Sequence, residues 1–207
     1  MEKNIYRLLL KYHKRGEMVY LSHLETVKAM ERALRRADLP LAYSRGFSPH
    51  PRITSSPALP VGVGSEGEYL EVSLRERPEL SGLAERINRG MPEGLRVIGM
   101  ELLPPHFPKI SRWIRYALYR VEVSGSPGKS CYLLLPLAPQ RKEGEAGGIP
   151  RLRDALSKLC ELEGWDEREI SVVRQGLYAS VDEVLDEVSG RVIMAVNRDV
   201  RLSEVSS

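Results

Sequence analysis

Tyr43, Arg45, Phe47, His50 and Arg52 follow one another almost back to back. A guanidinium group pairs with a phosphate and a planar ring stacks on an unpaired base, so this alternation is the mixture a nucleic-acid binder needs. The structural alternative is that Tyr43 and Phe47 anchor a loop to the core while the arginines are merely solvated. It weighs most for Phe47, which follows a glycine. All five residues lie in the stretch Tyr43–Val72, which is long, punctuated by Pro and Gly, and only weakly periodic. Connections in compact domains run about 4–6 residues, and much longer ones are functional or disordered. Disordered segments favour Glu, Ser, Lys and Gln over aromatics, so the composition points to a functional loop.

A second set of candidates surrounds His23. It takes the first helical position after Ser22, where free backbone N–H groups and the helix dipole favour an anion. An imidazole there could meet a phosphate or act as a general acid or base, with Tyr20 three residues before it and Lys14 and Arg15 on the adjoining turn. The plainer alternative is a partly exposed histidine bonded to a neighbouring loop. Arg35 and Arg36 end the same helix, and Arg112-Trp113-Ile114-Arg115-Tyr116 is a further aromatic–basic cluster. Other chemistries lack their residues. There is no Walker loop, no dinucleotide-binding glycine motif opening a helix and no Gly-x-Ser-x-Gly elbow. Two distant cysteines and four scattered histidines do not have metal-ligand spacing.

The charge is sorted along the chain. Residues 1–60 carry eleven Lys/Arg against five Asp/Glu, and 104–120 add four bases and no acid. Residues 61–103 and 176–207 each come to −3, within a net +3. That distribution favours a polyanionic partner. At 207 residues the chain can bury a sizeable core as one large domain or two small ones. Cys131 and Cys160 read as buried free thiols in a reducing cytoplasm. No stretch approaches the roughly 20 apolar residues of a membrane span.

The elements that must position these residues follow from periodicity. Tyr6–Tyr12 alternates as a strand, His13–Glu17 reads as a turn, and Met18–Tyr20 as a short return. Ser22 and Glu25 have capping-box spacing. They start a helix whose apolar face is Leu24, Val27, Met30, Leu34 and Ala37, closed by Pro40. A strand near Leu39–Ser44, another over Leu70–Leu74, a helix over 79–90 and a strand over Arg96–Leu103 complete β-α-β-β-α-β across residues 4–103. That order is the ferredoxin-like unit of an α+β fold, with both helices on one face of an antiparallel sheet. Domain boundaries fall at 1–103 and, after a Pro104–Pro108 linker, at 109–180. The second domain is a smaller, incomplete ferredoxin-like half: strands at Tyr116–Val123 and Tyr132–Leu137 across a Gly125–Gly128 turn, a mobile loop at Gln140–Gly148, a helix from Leu152 and a strand at Ile170–Tyr178. An acidic tail, 181–207, has a helical start and a β-like Val192–Val196.

Residues 5–103 also resemble a known family. Ser22-His23-Leu24, Glu31-Arg32-Ala33-Leu34-Arg35-Arg36-Ala37 and Tyr43-Ser44-x-Gly46-Phe47-x-Pro49-His50-Pro51 carry the likeness, with Leu59-Pro60-Val61-Gly62-Val63 and Ser65-Glu66-Gly67-Glu68-Tyr69. It is to the radical-SAM-associated family, small proteins of unknown function fused to, or encoded beside, radical SAM proteins. The resemblance implies a cytoplasmic accessory role beside a radical SAM enzyme of the cobalamin-binding type, and it carries over no catalytic residue. A radical SAM cluster needs three closely spaced cysteines, which Cys131 and Cys160 cannot supply, so no cofactor is expected on this chain.

The expectation is an accessory module that presents RNA, tRNA or rRNA, to that partner. The first alternative is a protein-interaction domain without nucleic acid, and the second a metal-independent ribonuclease using His23 with Tyr20 or Lys14. Geometry predicts that Arg35, Arg36, Arg45 and Arg52 share one positive surface, with the long loop folding back over the sheet toward His23 at its edge.

Overall fold

The computed structural model describes residues 5–126, 128–137, 151–187, 192–195 and 202–205. The expected loop at Gln140–Gly148, Pro127 of the expected turn and Val196 lie outside them. The chain divides into two compact units, Met1–Arg112 and Trp113–Ser207, and no helix among the described residues is long and apolar enough to cross a membrane.

The first unit is built on β1 (Tyr6–Lys14), α1 (His23–Arg36), β2 (Ile53–Ser55), β3 (Gly64–Leu74), α2 (Leu83–Asn88) and β4 (Leu95–Leu103). β1 pairs antiparallel with β4 on one side and β3 on the other, and β2 pairs antiparallel with β3. Because Leu70–Val72 meets β1 and β2 at once, β2 lies on the edge of β3 away from β1, and the spatial order is β4-β1-β3-β2. This is the α+β, ferredoxin-like arrangement expected from the sequence. Alternation sends Leu8, Leu10 and Tyr12 of β1 and Leu70, Val72 and Leu74 of β3 to one face. There they bury together with Met30 and Leu34 of α1 and Leu83 and Ile87 of α2. Both helices therefore cover the same face.

Several details differ from expectation. Met18–Tyr20 is part of a 3-10 turn, Gly16–Tyr20, rather than a returning strand. The second strand is Ile53–Ser55. The segment near Leu39–Ser44 makes only isolated bridges, Leu41 to Leu74 and Tyr43 to Pro51. It follows Asp38 at φ +51° and then Pro40, a break that leaves little straight chain for a ladder. The buried stripe of α1 is Thr26, Ala29, Met30, Ala33 and Leu34, and Leu24, expected inside, is 61% exposed. Small residues draw α1 close to its neighbour: a Cβ at Gly90 would come within 3.2 Å of Ala33 Cα. α2 is shorter than the 79–90 expected, because Gly82 at its N-cap is left-handed (φ +64°) and starts the helix late.

The sheet's other face holds the segment expected to be a linker. Arg7 makes a two-pronged ion pair with Glu71, at 2.7 and 2.9 Å. The same guanidinium donates to the carbonyls of Phe107 and Pro108, and Ile110 N–H reaches the Glu71 carboxylate at 3.4 Å. Residues 107–110 are thus held against β1 and β3, with Ile110 wholly buried at the start of the short helix α3 (Ile110–Trp113).

In the second unit β5 (Tyr116–Val123) pairs antiparallel with β6 (Ser130–Pro136) and β7 (Ile170–Tyr178). α4 (Leu152–Glu163) buries Ala155, Leu159 and Cys160. The acidic tail supplies α5 (Val181–Glu187), β8 (Val192–Ala195) and β9 (Leu202–Val205). β8 joins β6 in parallel and β9 joins β8 antiparallel. Val184 and Val192 pack with Leu118, Leu134 and Tyr178, which explains why this acidic segment folds. Arg174 is 1% exposed, with Nη2 donating to the Tyr119 hydroxyl at 2.7 Å, a structural rather than a contact residue.

Candidate nucleic-acid interface

At the C-terminal end of α1, Arg35 and Arg36 occupy the last turn, where cations complement the helix dipole. Arg36 donates to the Gly90 carbonyl at 3.2 Å, and Arg35 pairs with Glu31 one turn back at 2.6 Å. After Pro40 the chain crosses the end of β3. Arg75 N–H donates to the Pro40 carbonyl and Ala42 N–H to the Ser73 carbonyl. That crossing sets Tyr43 between two arginines that are distant in sequence. The Arg35 and Arg75 guanidinium carbons lie 5.9 and 5.5 Å from its ring centroid. Each such contact contributes about 0.5–1 kcal/mol at an exposed site. Arg75 was not among the residues singled out in the sequence. Nothing local marks it, since only the crossing of residues 40–42 over the end of β3 brings it to Tyr43.

From this platform residues 44–50 project as a finger. Its neck is closed by the Tyr43–Pro51 bridge, by Ser44 N–H donating to the His50 carbonyl and His50 N–H to Ser44 Oγ, and by Arg52 N–H donating to the Ala42 carbonyl. Gly46 at φ +129° makes the reversal at the tip, where a side chain would be strained. Every residue from Ser44 to His50 is exposed, and Phe47 is 110% exposed, which excludes the anchoring role. The chain carries no carboxylate between Asp38 and Glu66. Among the described residues Arg45, Arg52 and Arg75 make no ion pair, and their positive charge is not neutralised locally. Arg52 departs from the expected surface. Its neighbour Ile53 faces the core with Val72, so alternation turns Arg52 to the opposite face of the sheet from Tyr43.

The long segment does not fold back over the sheet as a single loop. After the finger it runs along the sheet edge as β2. Its next stretch is fastened through Glu68, 3% exposed, whose carboxylate accepts from Ser56 Oγ and Ser65 Oγ, each at 2.7 Å. His23 meets this edge strand about four β3 residues, roughly 13 Å, from the finger's neck, its Nε2 lying 2.9 Å from Ser55 Oγ. The capping box is complete: Glu25 N–H donates to Ser22 Oγ and Ser22 N–H to the Glu25 carboxylate. Hydrogen bonds from the Ser22 hydroxyl and then its backbone N–H lower the Glu25 pKa.

The other residues expected near His23 are committed elsewhere. Lys14 is 2% exposed and donates to the Leu21 carbonyl at 2.7 Å. Arg15 is exposed but bonds Glu66, which raises its pKa. Tyr20 is 67% exposed. His23 is thus joined to a serine rather than to the Tyr20 or Lys14 that the ribonuclease alternative needs. Arg112 and Arg115 are both exposed, the former at the end of the first unit and the latter at the start of the second. Among the described residues no group of three or more His, Cys, Asp or Glu is placed to hold a metal. Both cysteines are buried, and burial foremost pushes the Cys160 thiol pKa up.

Apart from Arg52, Arg112 and Arg115, the candidate residues form two groups. One is the finger end, with Arg35, Arg36, Tyr43, Arg45, Phe47, His50 and Arg75. The other is the start of α1, with Lys14, Arg15 and His23. The finger end has the cations to bind a polyanion and an exposed ring to stack on a base. Comparison of the sequence with curated proteins gives no match. A family model described as an uncharacterized protein conserved in bacteria, DUF2344, matches residues 7–169, which spans nearly all of the ferredoxin-like unit and more than half of the second, and the chain belongs to that family.

Proposed function

We propose that this chain is an accessory RNA-binding protein that presents RNA from the finger end of its first unit. The enzyme it serves is a separate radical SAM protein of the cobalamin-binding type, acting in RNA modification or processing. The observation that carries the RNA reading is the Arg35–Tyr43–Arg75 stack beside the finger. It sets two guanidinium groups on one ring, Arg35 paired with Glu31 and Arg75 without an ion pair among the described residues, beside a stretch, Leu39 to Ser65, that carries no carboxylate. The partner rests on the resemblance of residues 5–103 alone.

The test is RNA binding by the Arg45→Ala/Arg75→Ala protein across a salt series. Two lost phosphate contacts should lower the slope of log affinity against log salt by about 1.4 on a single strand. The melting temperature should hardly move, because exposed charges contribute little to folding. Equal affinity and slope in parent and variant would refute the RNA reading. Recovery of a radical SAM protein with the tagged chain from its host would support the partner, and its absence from that material would count against it.

A further inference from the structure

We infer that the finger reads an unpaired base, with Phe47 stacking on a nucleobase of single-stranded RNA while Arg45 and Arg75 hold the adjoining phosphates. This inference rests on the RNA-binding reading above. Phe47 is 110% exposed at the tip of a hairpin whose neck is hydrogen-bonded, so it is offered to solvent by ordered backbone. Leaving a Phe side chain unburied forgoes the free energy of removing its surface from water, and stacking on a base returns an interaction of similar size, so one base can offset the exposure. The neighbouring aromatic is not equally available, since two guanidinium groups already lie within 6 Å of the Tyr43 ring centroid. Arg45 lies two residues before Phe47 in the finger, and Arg75 stands against Tyr43 at its base, so the finger carries a cation near its tip and another at its neck. A duplex is the poorer ligand. The major groove of A-form RNA is deep and narrow, its bases are stacked on one another, and an apolar ring gains nothing from phosphates. A single strand offers the ring an open π-face.

The experiment uses the full-length protein and a single-stranded RNA carrying 2-aminopurine, with the same sequence as a blunt duplex for comparison. Binding to the single strand should change the 2-aminopurine fluorescence. Phe47→Ala should remove that change and weaken single-strand binding about five- to a hundredfold. Phe47→Trp should preserve both, and Phe47→Leu, apolar but without a π-face, should behave like Phe47→Ala. Duplex binding should be weaker and indifferent to residue 47. Because Phe47 packs on nothing, each variant should melt like the parent.

If Phe47→Ala binds the single strand like the parent while Arg45→Ala/Arg75→Ala binds weakly, the base-reading inference falls and the RNA reading stands. If the parent binds neither RNA at low salt, both fall. If Phe47→Ala and Phe47→Leu differ, with only the former losing a co-purifying protein and neither changing RNA affinity, the finger is a protein-docking element and the inference is overturned.

Discussion

Phe47 and Lys14 are among the side chains of the first unit that reverse the places their types predict. Phe47 is wholly in solvent and Lys14 is 2% exposed. Burial of an ammonium group is tolerated where it is hydrogen-bonded, as Lys14 is to Leu21. Phe47 has no folding role, so Phe47→Ala should unfold in calorimetry at the parental temperature. Leu34→Ala, at a fully buried position of α1, should cost about 2–5 kcal/mol. A substantial loss of stability in the Phe47 variant would mean the ring packs somewhere. His13 makes a pH prediction. Burial first, and then the charge of Arg15, lower its pKa against the opposing pull of Glu66. Below the ordinary histidine value of about 6.5 the unfolded chain therefore binds the proton more readily than the folded one. The contribution of His13 to stability is complete above that value and is lost as pH falls toward the folded pKa. Urea unfolding of the parent at pH 7.5 and 5.5 should show this loss, and His13→Asn should reduce it. An equal loss in the variant would assign the effect to other groups.

Between elements, three fastenings decide where the finger, residues 107–110 and the start of β4 lie. The first is the crossing of residues 40–42 over the end of β3, which also sets Arg75 against Tyr43. The second is the Arg7–Glu71 pair. Side-chain exposures of 16% and 8% mark it as largely desolvated. Replacing Arg7 by Met leaves the Glu71 carboxylate without its counter-ion and frees the carbonyls of residues 107 and 108. The expected loss is about 3 kcal/mol in denaturant unfolding, the lower end for a buried pair deprived of one partner. The double variant Arg7→Met/Glu71→Leu should recover part of it, and a double variant weaker than the single would contradict the pair's role. The third is Gly94, at φ +89°, where a Cβ would approach the Arg15 carbonyl oxygen to 2.3 Å. Gly94→Ala therefore combines left-handed strain, about 1–3 kcal/mol, with a backbone collision. It should destabilise the first unit more than Gly46→Ala, whose Cβ would meet nothing within 4 Å.

Across the whole molecule, charge is divided between the units. Residues 1–112 carry eighteen Lys/Arg against thirteen Asp/Glu, and residues 113–207 thirteen against fifteen, which makes them +5 and −2. A polyanion would therefore be drawn to the first unit rather than to the protein as a whole. Arg45→Glu/Arg75→Glu should abolish most of the salt-sensitive RNA binding. Arg153→Glu/Lys129→Glu, the same change in net charge on exposed residues of the second unit, should leave it nearly intact. Equal losses in filter binding would show that net charge alone governs the interaction.

Where the signal is local, the sequence determined the outcome. Period-two alternation fixed β1 and the end of β3, Ser22 and Glu25 fixed the start of α1, and the order of elements fixed the ferredoxin-like unit, because each depends on residues a few positions apart. The aromatic–basic composition of residues 43–52 was equally legible. What that segment does in space was not. The partition of the long loop into finger, edge strand β2 and the Glu68-fastened stretch depends on pairing with β3, twenty or so residues away. The buried face of α1 turned from Leu24 to Ala29 and Ala33, where the chain at Gly90 comes close. Arg75 joined Tyr43 and Arg52 went to the far face through contacts between residues remote in the chain, and Lys14 went inside to bond Leu21 seven residues on. Side-chain chemistry is written in sequence order, but which charges share a surface is set by sheet register, and a one-residue shift exchanges the two faces.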